Sequence, residues 1–519
     1  MPEYELRPYQ IENLGVAIKM KKHLDLSHPG TGKSGTASML AYYHWARRGK
    51  KTLYAMPQSL LRNNRTKMLQ FTDFAPEDVE ILTSDHAPLT KSWTGPTKFK
   101  QKRVKTLKVR VTPPGRKPYL THERAMTADE LLLPHEYIPG PDGKPQVLKG
   151  YTEPEEVKDL IAASDAKVFI VTFAFVRDHW EHMLKCHPDI DLFMCDEAHL
   201  GYKRPDSQAT TSMWFVNQHV ENFYPMTGSL PDGQLDSLYP ILQAIEPRYY
   251  GSHAGFLDKH AVFIDARGRV HGWKETEDLK AILQMHSTCR TFTECYGEEP
   301  VVFFHELVEV THQVRAEYDK FHNEAMLELE DGDVLDGTLP GVAVIRARQI
   351  LAHPETMGLA KSEVTGKDER LKIFANEGQK MIVFAALKPE QRRCVQVLEA
   401  EGLRVGLINS DVPKKDRDKI DLAFRQGLLD AVVASGPTAG VGFDWEHAEH
   451  VVFISVDYQD VNFLQAYRRA SRGTRTTTLR VTSLEYEDTI DGRLYQICSE
   501  KSALAQQVDE TRTVLSFTG

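Results

Sequence analysis

The chain is expected to fold as an α/β protein built from two parallel-sheet lobes. Three features of its 519 residues carry that expectation. A glycine-bearing loop, Ser27-His28-Pro29-Gly30-Thr31-Gly32-Lys33-Ser34, follows a short apolar segment and precedes a helical pattern. An apolar run over 190–195 ends in Asp196-Glu197-Ala198-His199. A fresh alternation of strand-like and helix-like stretches begins near 381. A chain of this length exceeds what one ordinary core serves and suits two lobes with connecting pieces.

The first lobe is assigned to 1–232. It opens with Leu6-Arg7-Pro8-Tyr9-Gln10 and a helical pattern through Met20. Gln10 carries a donor and an acceptor on one amide, which is what an adenine edge requires. Leu24 and Leu26 lead as a strand into the loop. There Pro29, Gly30, Thr31 and Gly32 let the backbone wrap a polyphosphate and aim N–H groups at it, with a helix opening directly behind. Lys33 neutralises phosphate charge and Ser34 ligates magnesium. ATP with Mg2+ is the ligand pair this pattern implies.

A strand at 52–56 leads to Pro57-Gln58-Ser59-Leu60-Leu61, and another at 166–172 ends at Thr172-Phe173. Gln58, Ser59 and Thr172 offer amide or hydroxyl groups to a sugar-phosphate chain. Between those strands lies an insertion at about 86–160. Its 91–117 stretch holds ten Lys/Arg residues and no Asp or Glu, with Trp93 and Phe99 interleaved. Alternation from Lys105 to Val111, closed by Pro113-Pro114-Gly115, predicts a hairpin. Lys100, Lys102, Arg103 and Lys105 are the candidate phosphate contacts, a solvated excursion being the plainer reading. Residues 134–149 read as loop.

The 190–195 run reads as a strand buried on both faces. Asp196 and Glu197 then emerge at its carboxyl end, where parallel sheets bind ligands. Asp196 is placed to hold magnesium through water, Glu197 to take a proton from attacking water, and His199 to sense that chemistry. A strand over 221–226 leads into Thr227-Gly228-Ser229-Leu230-Pro231 and closes the lobe.

Residues 233–365 read as a helical and irregular connecting region with an acidic stretch at 328–336. The second lobe is assigned to 366–483, with strands at 381–385, 404–408, 431–434 and 451–455 and helices at 390–401 and 414–424. A helical extension follows at 484–519. In Thr438-Ala439-Gly440-Val441-Gly442-Phe443-Asp444, Gly442 permits close backbone approach and Asp444 is placed to accept from a ribose hydroxyl. Thr438 joins the candidate nucleic-acid contacts. Gln465-Ala466-Tyr467-Arg468-Arg469-Ala470-Ser471-Arg472 puts Arg469 and Arg472 three apart, on one face of an expected helix. Aimed across a cleft at a γ-phosphate, such guanidiniums stabilise the charge that develops in transfer.

In this order the motifs resemble those of the superfamily 2 helicases and translocases: Gln10, the phosphate loop, Pro-x-Ser-Leu-Leu, a DEAH box, Thr-Gly-Ser, a glycine loop and Gln-x-x-x-Arg-x-x-Arg. Within that superfamily the chain looks most like the Swi/Snf-type DNA translocases, through Leu6-Arg7-Pro8-Tyr9-Gln10, Pro57-Gln58-Ser59-Leu60-Leu61, Met226-Thr227-Gly228-Ser229-Leu230-Pro231 and Arg348-Gln349-Ile350-Leu351-Ala352-His353-Pro354. It departs from that pattern at Leu200-Gly201-Tyr202, Phe443-Asp444 and Gly473-Thr474. The compact form resembles virus- or bacterium-encoded members. The resemblance implies two tandem RecA-like lobes with an ATP cleft between them, Lys33, Asp196, Glu197, His199, Arg469 and Arg472 as catalytic groups, and DNA, duplex or branched in preference to RNA, as partner. Strand-separating DEAH-type helicases of DNA or RNA, and an ATP-switched binding module without motor activity, stay open.

Composition narrows the remaining classes. A hydrophobic fraction of 41% and a charged fraction of 26% are those of a soluble globular chain, here expected to be intracellular and monomeric. No apolar run is long enough to span a bilayer. A net charge of −9 requires any nucleic-acid contact to be local. The six cysteines are scattered, as reduced thiols are, and His286, Cys289, Cys295 and His305 match no zinc spacing.

Overall fold

The computed structural model describes residues 5–83, 160–228, 235–266, 268, 270–324, 340–352, 364–436, 443, 445–456, 460–471 and 475–508. It also describes the strand backbones 106–111, 119–125, 138–139, 145–146, 326–328 and 334–336.

In the first lobe the strands are β1 (Leu24–Asp25), β2 (Lys51–Met56), β3 (Val79–Leu82), β4 (Val168–Thr172), β5 (Ile190–Cys195), β6 (Asn222–Pro225) and β7 (Ser287–Thr288). Five of them form a parallel sheet in the order β6-β5-β2-β4-β3. Parallel bridges Lys22 to Phe223 and Asp25 to Met226 add β1 beside β6, and β7 pairs with β1. Such a sheet is covered on both faces, which is why its strands read as continuous apolar runs. In β2, Leu53 and Ala55 enter one core while Tyr54 and Met56 enter the other.

The second lobe repeats the plan. Its strands are β8 (Val301–Val308), β9 (Met381–Phe384), β10 (Val405–Ile408), β11 (Ala431–Ala434), β12 (His450–Phe453) and β13 (Leu479–Tyr486). They form one parallel sheet, β8-β13-β12-β9-β11-β10. Met381 and Val383 of β9 face one core, Ile382 and Phe384 the other. Two parallel sheets with helices on both faces are the two RecA-like lobes expected from the sequence.

Three expected boundaries fall inside structural units. Leu235 through Leu283 supply side chains to the first-lobe core, so that lobe runs past 232. Strand β8 belongs to the second sheet although it precedes 366, and helix Pro340–Ala352 packs there through Ile350 and Leu351 while Arg348 Nη2 donates to the Val456 carbonyl at 2.7 Å. Strand β13 crosses the expected break at 483, and helix Ile490–Val508 buries Leu494, Tyr495 and Cys498 in the second-lobe core. The same helix packs Leu504 against the first-lobe core, so it braces one lobe on the other. Strand pairing between distant segments draws these borders, and composition along the chain does not reveal it.

The hairpin expected in the insertion is present as Thr106–Val111 paired antiparallel with Tyr119–Ala125. Its candidate residues Lys100, Lys102, Arg103 and Lys105 lie outside the described residues. All six cysteines are free. No helix among the described residues is long and apolar enough to cross a membrane.

Behind the phosphate loop lies Asp25, fully buried at the end of β1. It accepts from the Ser27 N–H at 2.9 Å and the Tyr224 hydroxyl at 2.7 Å. Tyr224→Phe removes one of those donors from a buried carboxylate and should destabilise the fold by about 1–3 kcal/mol. Urea denaturation of the variant against wild type checks this, with an unchanged midpoint as the contrary result.

Candidate active site

Five first-lobe strands deliver candidate residues at their carboxyl ends: β1 the phosphate loop, β2 Gln58 and Ser59, β4 Thr172, β5 Asp196 and Glu197, β6 Thr227 and Gly228. Parallel pairing makes this convergence automatic, because all carboxyl ends lie on one edge of the sheet.

The loop has the backbone its sequence requires. Gly30 and Gly32 have φ of 88° and 84°, a region that costs an L side chain energy. Helix Lys33–Arg48 starts immediately behind, with Ser34 half-buried in its first turn. The loop carbonyls are held from outside: the Tyr9 hydroxyl donates to Thr31 at 2.8 Å and the Tyr296 hydroxyl to Gly30 at 3.1 Å. Lys33 Nζ folds over the loop and donates to the carbonyls of Ser27 at 2.5 Å and His28 at 3.2 Å. A phosphate would be a stronger partner for that ammonium than either carbonyl. Pro29 packs beside Gly228, where an added Cβ would stand 2.8 Å from the proline ring and 3.0 Å from Lys33 Nζ.

Gln10 lies against the same loop. Its amide oxygen accepts from the Arg7 N–H at 2.8 Å and its Nε2 donates to the Gly32 carbonyl at 2.8 Å. One N–H and one lone pair of the carboxamide are left over, the donor and the acceptor that an adenine edge was expected to use.

Asp196 and Glu197 are both buried. Asn64 Nδ2 donates to Asp196 Oδ2 at 3.2 Å, and the Glu197 N–H to Asp196 Oδ1 at 3.0 Å. Burial first, and then the Glu197 carboxylate, push Asp196 up to about 6 against the pull of Lys33, Lys67 and the Asn64 hydrogen bond. Glu197 sits at φ 48°, a strained setting for a residue with a Cβ, of the kind found at functional sites. Its Oε2 is buried with no hydrogen-bond partner among the described residues, 3.5 Å from His199 Nδ1. His199 Nδ1 in turn lies 2.7 Å from Thr227 Oγ1, joining the acidic box to the Thr227-Gly228 segment. A buried carboxylate oxygen with no hydrogen-bond partner among the described residues, on the sheet edge that carries a glycine cradle and a lysine, fits a site that would take a magnesium-bound triphosphate and its attacking water.

The second lobe comes to this edge. The Ser471 carbonyl would lie 4.0 Å from a Cβ built on Gly30. Arg469 is half-buried two residues earlier. It is not helical as expected: helix Asp460–Tyr467 ends before it, and a turn follows in which the Arg469 N–H donates to Ala466 at 3.1 Å and its carbonyl accepts from Trp445 at 2.8 Å. Arg469 therefore lies on no helix face, its carbonyl held in the turn by the Trp445 N–H. Arg472, Thr438, Gly442 and Asp444 lie outside the described residues.

Gln58 and Ser59 are exposed in a short 3-10 turn after β2. Thr172 is their register neighbour through Met56, and its hydroxyl accepts from the Phe175 N–H at 3.1 Å, capping helix Phe173–Cys186. Sequence reasoning missed Asn64, Tyr296 and Glu299. Asn64 alone had a signal, since a buried polar residue amid the apolar positions of a helix calls for a partner.

Residues 366–474 match the helicase conserved C-terminal domain. Curated proteins similar to the chain include "ATP-dependent RNA helicase RhlB" of Xanthomonas axonopodis pv. citri, 28% identical over 19% of this chain and 17% of that protein. The RhlB of Shewanella sediminis is 32% identical over 17% of this chain and 24% of that protein, and the RhlB of Shewanella amazonensis 46% identical over 12% and 14%. The chain thus spans less than a quarter of the length of these relatives in the matched segments. Among solved structures, the Sulfolobus solfataricus SWI2/SNF2 ATPase core in complex with dsDNA aligns over 98% of this chain and 94% of its own, at 18% identity and a TM-score of 0.39.

The Asp196 shift gives a testable sign. A carboxyl whose folded value exceeds its unfolded one, ~3.9, favours the fold below that pH and penalises it increasingly as pH rises toward about 6. Asp196→Asn should therefore stabilise the nucleotide- and metal-free protein at pH 8, with an advantage that shrinks as pH falls toward 5. Thermal denaturation at the two pH values measures it, and a variant no more stable than wild type at pH 8 contradicts the assignment.

Proposed function

We propose that the protein is a nucleic-acid-stimulated ATPase that couples hydrolysis between its two lobes to movement along DNA, by duplex tracking, remodelling or branch migration. The observation that carries this reading is the approach of Ser471 to Gly30, which brings the arginine-bearing segment of the second lobe to the phosphate loop of the first. The helicase conserved C-terminal domain at 366–474 supports the same class.

In this reading Lys33 and the amides of the Pro29-Gly30-Thr31-Gly32 loop hold the phosphates, and Gln10 lies at the base. Glu197 Oε2 takes the proton of the attacking water, while His199 relays the state of that carboxylate to Thr227. Ser34 and Asp196 would hold magnesium, which neutralises phosphate charge when bound. Arg469 and Arg472 supply positive charge from the second lobe, with Gly442 and Asp444 lining its side of the cleft. Closure around ATP assembles these groups and hydrolysis releases them, so the lobes cycle. Gln58, Ser59 and Thr172, on one edge of the first sheet, are assigned to the nucleic-acid track, with Thr438 and the basic Lys100, Lys102, Arg103 and Lys105 as further contacts. Motif order through Leu6-Arg7-Pro8-Tyr9-Gln10 and Arg348-Gln349 favours DNA.

A second reading, strand separation of DNA or RNA, is favoured by the similarity to proteins named as RNA helicases. ATP turnover measured side by side with single-stranded DNA, duplex DNA, branched DNA and RNA separates the two. The largest stimulation is expected from duplex or branched DNA; stimulation by RNA alone transfers the case to the second reading, and none with any polymer leaves an ATP-gated binding module. Lys33→Ala and Glu197→Gln should each lower stimulated turnover by at least about a hundredfold while retaining DNA binding. Substantial residual hydrolysis in either variant refutes its assigned role.

A further inference from the structure

The strand that opens the second lobe is reached from the first through a short, tightly held segment. Its root is tied to helix Pro8–Met20: Arg290 Nη2 pairs with Glu12 at 2.7 Å and Nε donates to Asn13 at 3.2 Å. A capping box follows, with Thr291 Oγ1 accepting from the Glu294 N–H at 3.1 Å and Glu294 Oε2 from the Thr291 N–H at 2.8 Å. These contacts fix Tyr296, whose hydroxyl donates to Gly30 and lies 3.1 Å from that of Tyr9, with the Arg7 guanidinium 4.6 Å over its ring. Gly297 then reverses the chain at φ 86°. Glu299 Oε1 accepts from the Ser471 hydroxyl at 2.6 Å, and its charge acts on the buried Arg468. The Pro300 carbonyl accepts from the Leu479 N–H at 2.7 Å, locking the end of the segment to the second sheet.

One hydrogen bond thus grips the phosphate loop, and three residues on another grips the arginine-bearing segment. Three peptide units span at most ~11 Å and leave little slack. We propose that 296–299 is a coupling tether: Tyr296 and Glu299 are positioning residues that transmit displacement of the phosphate loop to the Arg468-Arg469-Ala470-Ser471 turn, and the reverse. This deepens the reading of the cleft as a shared ATPase site and rests on it. The two side chains do not touch the reacting atoms. Their work is to make the loop and the turn move together, so that phosphate binding on one lobe draws in cations from the other.

Two measurements test it. In nucleotide-free protein, Tyr296→Phe should raise amide hydrogen exchange in 465–471, and Ser471→Ala should raise it in 27–33, each on the order of threefold. Changes confined to each variant's own side overturn the tether, whatever the protein hydrolyses. In stimulated turnover, each single substitution should lower kcat on the order of tenfold with KM for ATP within about threefold, and the double variant should resemble the singles. Losses that multiply to about a hundredfold, or singles with no effect, overturn it as well. Glu299→Gln keeps the acceptor for Ser471 and should recover most of the rate lost in Glu299→Ala; equal loss in both points to charge alone and against a tether. A wild-type protein inactive with every nucleic acid would sink the ATPase reading, while the exchange measurement still decides the tether.

Discussion

The close approach of the second lobe's backbone to Gly30 is the constraint on which the rest depends. The Ser471 carbonyl lies 4.0 Å from where a Cβ on Gly30 would stand, and Arg469 lies two residues before it in the same turn. A side chain at Gly30 would strain the loop through its positive φ, while its Cβ would meet the Ser471 carbonyl at ordinary van der Waals distance. The fold serves the approach from both directions. Parallel strands bring the loop, the acidic box and Thr227 to one edge, and the helix Ile490–Val508 braces the lobes through Leu494 and Leu504.

The site is costly to maintain. Asp196 and Glu197 are two adjacent buried carboxyls, one of them in a strained backbone conformation with an oxygen lacking a hydrogen-bond partner among the described residues. Such features oppose stability and persist where the surroundings over-determine them. Here the surroundings are the Asn64 amide, the His199–Thr227 contact and the apolar strands on either side. Each has an evident partner in a bound, charged ligand: the lysine that now folds onto its own loop, the carboxyl held up near neutrality, and the oxygen facing His199. The same charges that destabilise the empty cleft are those that a triphosphate with its cation would compensate.

Much of this was legible in the residues. Largely apolar runs such as Ile190–Cys195, interrupted by Asp191, announced strands buried on both faces, and the groups following them had to share an edge. Gly30 and Gly32, read as letting the backbone wrap a polyphosphate, both have positive φ. Boundaries were less legible. Strand β8 pairs with β13, which lies nearly the length of a lobe further along, and its own exposure leaves no alternating pattern to read. Tyr296 and Glu299 make their contacts across 266 and 172 positions, so no local spacing marks them. The turn at Arg469 was misread as helix because its cause, the Trp445 N–H, comes from another element.

The most direct measurement of a cleft shared by two lobes is a single-turnover comparison of Arg472→Ala with wild type, reading ATP affinity and the hydrolysis rate separately with saturating duplex DNA. Affinity within about threefold and a rate lowered by on the order of 10³ or more is the expected result. A rate unchanged beside wild type, or a loss confined to affinity, would contradict a site to which the second lobe contributes charge.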